Sequence, residues 1–297
     1  MTLQRVMAQA LLGLLWALHG LPLAWQAALG RGLGRVLYAL AGARRRVALR
    51  NVQLCLPELG DAAAQALVRQ HFGWLARSLL ERGLLWYAPV ARLKRLIQVE
   101  GEVGFAARSD KPVMWLVPHF VALDVAGVAT QLFQTSPVAS IYQAQSNAVF
   151  DAAMRKGRLR FGLAQVFARS EKALPLVRAI RRGAAFFNLP DMDFGARDAA
   201  FVPFFGVPAA TLLAPARMAR SLGMVVQPVL AEMLPGGQGY RVHFLPPWED
   251  FPGDDDLAAA TRINAWIAEQ IRLNPAQYLW VHKRFKTRPA GEASLYA

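Results

Sequence analysis

The sequence predicts an α/β fold in which a mixed central sheet is flanked by helices, preceded by an N-terminal hydrophobic helical membrane anchor. Three observations predict it. From about residue 99 onward, short apolar runs bounded by proline or glycine alternate with helical patterns of about ten to fourteen residues, the rhythm of strands and helices in an α/β sheet. Two later runs, "MVVQPVLAEM" and "YRVHFLPP", flank the turn "LPGGQG" and read as an antiparallel pair, which makes the sheet mixed. The third is the opening stretch from Ala8 to Ala28, "AQALLGLLWALHGLPLAWQAA", close to the ~20 residues that a bilayer-crossing helix needs.

The elements follow in order. Trp16, Trp25, Arg5, Arg31 and Arg35 are placed as interfacial anchors around the opening segment, while Gln9, His19, Pro22 and Gln26 inside it weaken a clean span. Residues 1–42 are assigned to the anchor region and 43–297 to an α/β catalytic domain. Arg44, Arg45, Arg46 and Arg50 lie on the next helix, either as a solvated face or turned toward anionic lipid. Residues 61–98 read as amphipathic helix interrupted by Pro89. "KPVMWLVP", "PVASIYQ" and "AAFFNLP" read as buried strands, and "SNAVFDAAMRKGRLRFG", "SEKALPLVRAIRRG", "ATLLAPARMARSLG" and "LAAATRINAWIAEQIRLNP" as helices. "FVPFFGVPAAT", with two prolines, reads as a rigid pocket wall or a buried loop rather than a standard strand.

Composition narrows the function. The chain of 297 residues is 55% hydrophobic with a formal net charge of +14 and a mean hydropathy of +0.23. A nucleic-acid binder explains the charge but not the apolarity, whereas a protein on an anionic membrane surface explains both. A single cysteine, Cys55 in "LCLP", excludes an intramolecular disulfide and reads as a buried, inert thiol. No phosphate-binding glycine loop and no internal repeat is present.

The stretch "WLVPHFVALD" carries the candidate chemistry. His119 directly follows a predicted strand, and in open α/β sheets ligands bind at the carboxyl ends of strands. Asp124, five residues on, is placed to reach one ring nitrogen and leave the other facing a pocket, as a base and its orienting carboxylate require. The plainer reading is a histidine capping a turn and an aspartate on a helix face. With no G-x-S-x-G elbow and Cys55 elsewhere, nothing suggests a covalent acyl-enzyme; a His and Asp pair without a protein nucleophile suits direct attack by a substrate hydroxyl. The five histidines are scattered without metal-ligand spacing, so neither metal nor cofactor is expected. "MRKGRLR" gathers Arg155, Lys156, Arg158 and Arg160, where arginines clamp phosphate oxygens bidentately; an anionic lipid fits better than nucleic acid because exposed aromatics are not interleaved. Gly157 leaves open whether that segment is helix or turn. Asp191 and Asp193 in "NLPDMDFG" either cap a turn or orient an arginine or substrate.

Taken together these blocks resemble the bacterial lipid A biosynthesis acyltransferases, the late acyltransferases that add secondary acyl chains, of lauroyl/myristoyl type within the broader lysophospholipid acyltransferase-like group. The resemblance rests on the apolar opening, "RRRVALRNVQLCLPEL", the H-x4-D/E motif as "HFVALD", "RKGRLR", "PDMDFG", "FVPFFGVPAATLLAPARMA" and the ending "NPAQYLWVHKRFKTRPAGE". It implies a bacterial inner-membrane protein with its catalytic domain on the cytoplasmic face. The donor implied is an acyl carrier protein thioester, and the acceptor the 3-hydroxyl of an acyl chain on a phosphorylated glycolipid precursor. His119 matches the catalytic histidine and Asp124 its acidic partner, aspartate where some members have glutamate; Arg155, Arg158, Asp191 and Asp193 match the substrate-binding segments. Acylation of another membrane lipid and non-catalytic lipid binding at a membrane surface are the alternatives.

Overall fold

Six helices open the chain: α1 (Leu3–Leu18), α2 (Leu23–Leu40), α3 (Gly42–Cys55), α4 (Gly60–Leu80), α5 (Arg82–Tyr87) and α6 (Val90–Leu96). The computed structural model describes residues 3–296. The α/β part runs β1 (Ile97–Gly101), α7 (Phe105–Arg108), β2 (Val113–Leu116), α8 (Leu123–Leu132), β3 (Val138–Tyr142), α9 (Ala148–Leu159), β4 (Ala164–Ala168), α10 (Leu174–Arg181) and β5 (Ala185–Asn188). Then come the hairpin β6 (Ala199–Phe204) and β7 (Val207–Leu212), α11 (Ala214–Leu222), β8 (Val225–Met233), β9 (Tyr240–Phe244) and α12 (Asp256–Leu273). Local chemistry sets several boundaries. The Asn147 side chain accepts hydrogen bonds from the Val149 and Phe150 N–H groups to start α9, Asp255 does the same for Leu257 at α12, and Gly223 ends α11 in the left-handed conformation that glycine adopts without strain.

The main sheet has the order β1-β9-β8-β2-β5-β3-β4. Its pairs are parallel except for β8 with β9, so the predicted mixed sheet with flanking helices is what forms. All four residues of β2 are buried, as in a central strand covered on both sides. Alternation sends Val113 and Trp115 to a layer shared with Leu85, Val125 and Met154. Met114 and Leu116 go to the opposite layer, with Val52, Phe72, Ile180 and Ile267.

The N-terminal segment departs from expectation. Among the described residues no helix is long and apolar enough to cross a membrane, which corrects the membrane-anchor part of the predicted fold, the transmembrane helix, and the inner-membrane placement with a defined cytoplasmic face. The apolar run is broken at residues 19–22, where the chain turns before Pro22 starts α2. At 16 residues, α1 spans only about 24 Å against the ~30 Å of a hydrocarbon core, and α2 carries Arg31 and Arg35. Both helices lean on the rest of the protein: Leu15 and Ala27 are buried, and the backbone of Gly83 lies against that of Leu15.

Glycines let α2 reach α4. A Cβ at Gly34 would lie 2.5 Å from the Gly73 Cα and 2.6 Å from the Phe72 carbonyl oxygen, backbone atoms that no rotamer change can move. Gly32, on the same helix, has nothing within 4 Å of its would-be Cβ. Gly34→Ala is therefore expected to destabilise by about 1–3 kcal/mol of overpacking, outweighing the helix propensity gained. Gly32→Ala should stabilise by about 0.5–1 kcal/mol. Thermal unfolding of the two variants checks the opposite signs.

Two further elements differ from the sequence reading. "FVPFFGVPAAT" is the regular antiparallel hairpin β6–β7 in register from Ala199↔Leu212 to Phe204↔Val207; its prolines face each other at Pro203↔Pro208, a two-stranded arrangement with free edges that tolerates them. Gly157 is helical, inside α9. Its missing Cβ admits the Trp86 indole, which would otherwise sit 2.3 Å away.

Candidate active site

Register brings the central pair together. Strands β2 and β5 are parallel neighbours with Leu116 opposite Asn188, and the pairing continues one step through the Val117 N–H to the Asn188 carbonyl. Each strand then meets a proline, Pro118 and Pro190, which keeps the preceding residue extended. His119 and Asp191 each stand three residues beyond a matched pair, so they emerge side by side at the carboxyl end of the sheet. The His119 Nδ1 lies 2.7 Å from Asp191 Oδ1, and the His119 backbone N–H donates to Asp191 Oδ2 at 2.9 Å.

The carboxylate on the ring is therefore Asp191. Asp191 is buried and the His119 side chain is 14% exposed. Burial by itself raises the Asp191 carboxyl, but the His119 charge and hydrogen bonds, with Arg284 further off, bring it below the usual range. A carboxylate accepting from Nδ1–H leaves Nε2 as the basic nitrogen, and among the described residues no side chain or backbone group bonds that atom.

Asp124 sits in the first turn of α8 but not against His119. Its Oδ2 accepts from Arg82 Nε at 2.8 Å and its Oδ1 meets Arg158 Nη2 at 3.4 Å, so the expected contact with the imidazole is replaced by two guanidiniums. Burial opposes ionisation of Asp124, yet those two arginines outweigh it and hold the carboxyl at about 2. Arg82 is positioned by its predecessor: Glu81 receives Arg77 Nε at 2.8 Å and the Tyr240 hydroxyl at 2.7 Å, pinning the α4–α5 junction to β9.

The basic segment is divided by its helix. Arg158 faces Asp124, Arg155 and Lys156 are exposed, and Arg160 donates to the Leu85 and Ala88 carbonyls at 2.8 and 2.7 Å, satisfying the end of α5. Asp193 holds the C-terminal segment and its own turn. It accepts from the Thr287 N–H and hydroxyl at 2.7 and 2.8 Å and from the Gly195 N–H at 3.0 Å.

The C-terminal segment closes over the site from behind. The Leu279 N–H donates to the His119 carbonyl at 2.9 Å and the Val121 N–H to the Gln277 carbonyl at 2.8 Å. Buried Arg284 donates to the Ala210 carbonyl and the Thr211 hydroxyl at 2.8 and 2.9 Å, and His282 Nε2 accepts from the Asp193 N–H at 3.1 Å. Arg82, Gln277, His282 and Arg284 carry no spacing signal that would have singled them out. Among the described residues no group of three or more His, Cys, Asp or Glu side chains converges as a metal site would.

Two histidines are held neutral. Burial pushes His71 and His282 down to about 4, against partial opposition from the Ala276 carbonyl for His71 and from Asp191 for His282. The unfolded chain therefore binds more protons than the folded one between about pH 6.5 and 4, and stability falls as pH is lowered through that window. His71 alone accounts for on the order of 3 kcal/mol at the acid end, at ~1.4 kcal/mol per pH unit. His71→Asn, whose amide can still reach the Ala276 carbonyl, should flatten the decline of melting temperature between pH 6.5 and 4.

An apolar cleft opens among α5, α8, α9 and the strands β3, β4 and β5. Leu123 and Leu189, four and two residues from His119 and Asp191 in the chain, line it together with Asp124 and Arg158, and its empty space of about 650 Å³ includes the open solvent at its entrance. A family model described as bacterial lipid A biosynthesis acyltransferase matches residues 1–287.

The chain belongs to the bacterial lipid A biosynthesis acyltransferase family. Among similar members, the lipid A biosynthesis palmitoleoyltransferase of Escherichia coli K12 is 31% identical over 288 residues, covering 96% of this chain and 92% of the relative. The lauroyltransferase of the same organism is also 31% identical, covering 96% and 93%, and its myristoyltransferase is 30% identical, covering 89% and 82%. Equal likeness to relatives named for different chains means that the lauroyl/myristoyl subtype expected from the sequence is not selected; the family is.

Proposed function

We propose that this acyltransferase moves a fatty acyl chain from an acyl carrier protein thioester to the 3-hydroxyl of an acyl chain on a phosphorylated lipid A precursor. The observation that carries the reading is the His119 imidazole, bonded through Nδ1 to buried Asp191, with Nε2 unengaged; Leu123 and Leu189, a few residues from the pair in the chain, line the cleft. Nε2 removes the proton of the acceptor hydroxyl as its oxygen attacks the thioester carbonyl. Asp191 stays ionised and stabilises the imidazolium. The tetrahedral oxyanion is met by positive potential from the start of α8 or from Arg158, and its collapse forms the ester and expels the thiolate, which takes the proton back from His119.

Asp124 acts in this scheme through its arginines. It fixes Arg82 and Arg158 at the cleft mouth, where a guanidinium meets the polar end of a substrate whose hydrocarbon lies inside. The test is incubation with acyl carrier protein thioesters and a tetra-acylated lipid A precursor, with products weighed by mass spectrometry. One added acyl chain is expected. No transfer from any donor would refute the reading, and transfer only to a glycerophospholipid would replace the acceptor.

A further inference from the structure

The cleft has a defined floor, and the floor is polar. On α8, Asp124, Gly127, Val128 and Gln131 line it, the i, i+3, i+4, i+7 face of one helix. The opposite wall comes from the β3–β4 pair through Val138 and Ala164, which are direct register partners at the end of the sheet away from His119. The cleft therefore runs along α8 from the level of Asp124 to that of Gln131.

Gln131 closes it. The side-chain amide donates to the Gly127 carbonyl at 2.9 Å and to the Arg158 carbonyl at 3.1 Å, tying α8 to α9 across the bottom. Gln131 is only 8% exposed, and its Oε1 is buried without a hydrogen-bond partner. An amide in this position repels further methylenes, because a longer chain would have to break two buried hydrogen bonds to pass.

We infer that the cleft is the slot for the donor's hydrocarbon chain and that Gln131 sets its maximum length, an inference that rests on the acyl-transfer reading above. Seven residues of α-helix separate Asp124 from Gln131, about 10.5 Å at ~1.5 Å per residue. An extended hydrocarbon of ~1.5 Å tetrahedral bonds advances roughly 1.25 Å per carbon, so about eight carbons fit between those levels. With the few that join the thioester carbonyl at His119 to the level of Asp124, the slot takes a saturated chain on the order of ten to twelve carbons. Gly127 lies partway down, and a Cβ built there has nothing within 4 Å, so a side chain at 127 starts into open space.

The experiment compares kcat/KM for acyl carrier protein thioesters of eight to sixteen carbons in the wild type, Gln131→Leu and Gly127→Leu, and the thermal stabilisation of each protein by the same donors without acceptor. Gln131→Leu removes the polar floor and should raise use of donors two carbons beyond the wild-type optimum by roughly tenfold relative to that optimum. Gly127→Leu places a side chain midway on a helix that tolerates it well and should shift preference at least tenfold toward shorter donors. Thermal stabilisation should follow the same order of lengths in each protein. Unchanged length profiles in both variants, in a wild type that transfers acyl chains, would overturn the inference alone. A wild type that transfers nothing, but is stabilised by donors in a length order that Gly127→Leu shifts downward, would support the slot and refute the transfer reading.

Discussion

His119→Ala is expected to lower acyl transfer by roughly a thousandfold, within the ~10²–10⁴ that a positioned base contributes. The effect should appear in kcat, because the imidazole acts on the proton in flight rather than on either bound chain. Residue 119 is held by its backbone as well as its ring: its N–H donates to Asp191 Oδ2 and its carbonyl accepts from the Leu279 N–H. Both contacts survive the substitution, so the loop should keep its course. Asp191 Oδ1 loses its partner, which costs some stability, on the order of 1–3 kcal/mol. Initial rates at saturating donor, read beside the melting temperature, separate the loss of chemistry from any loss of fold.

Asp191→Asn is the second large effect. The substitution is nearly isosteric, but an amide can turn its NH₂ toward Nδ1, which favours the tautomer with the proton on Nε2 and disables the base; the uncharged group also stops stabilising the imidazolium. A loss of about 10²–10⁴ in kcat is expected. Asp124→Asn serves as the contrast. Its carboxylate touches Arg82 and Arg158 and not the ring, so its loss should be nearer tenfold and should fall more on KM. Steady-state kinetics of the two variants decide between Asp191 and Asp124 as the partner of His119, since a dyad built as the sequence spacing suggests would reverse the order.

That spacing shows what a sequence does and does not carry. The strands ending at Leu116 and Asn188 are legible as apolar runs closed by proline, and His119 and Asp191 are legible as polar residues just past them. Their adjacency is not, because β2 and β5 become neighbours only after the chain has passed through β3 and β4. Without it, the nearest carboxylate in sequence, Asp124, stands in for the nearest in space. Arg82 was hidden for the same reason, lying on an amphipathic helix whose partners are set by tertiary packing. Local rules succeeded where the information is local, as in the antiparallel β8–β9 pair around "LPGGQG". They failed at the opening helices, where an apolar window records hydrophobicity but not that Gly30 and Gly34 are consumed against Arg77 and Gly73 of α4.

The most direct test of the proposed dyad is the ¹⁵N spectrum of His119 in the wild type and the two aspartate variants, at a pH where the ring is neutral. A proton on Nδ1 and a bare Nε2 are predicted in the wild type and in Asp124→Asn, with the tautomer altered in Asp191→Asn. A His119 signal that is unchanged in Asp191→Asn but altered in Asp124→Asn would contradict the assignment of the base and its partner.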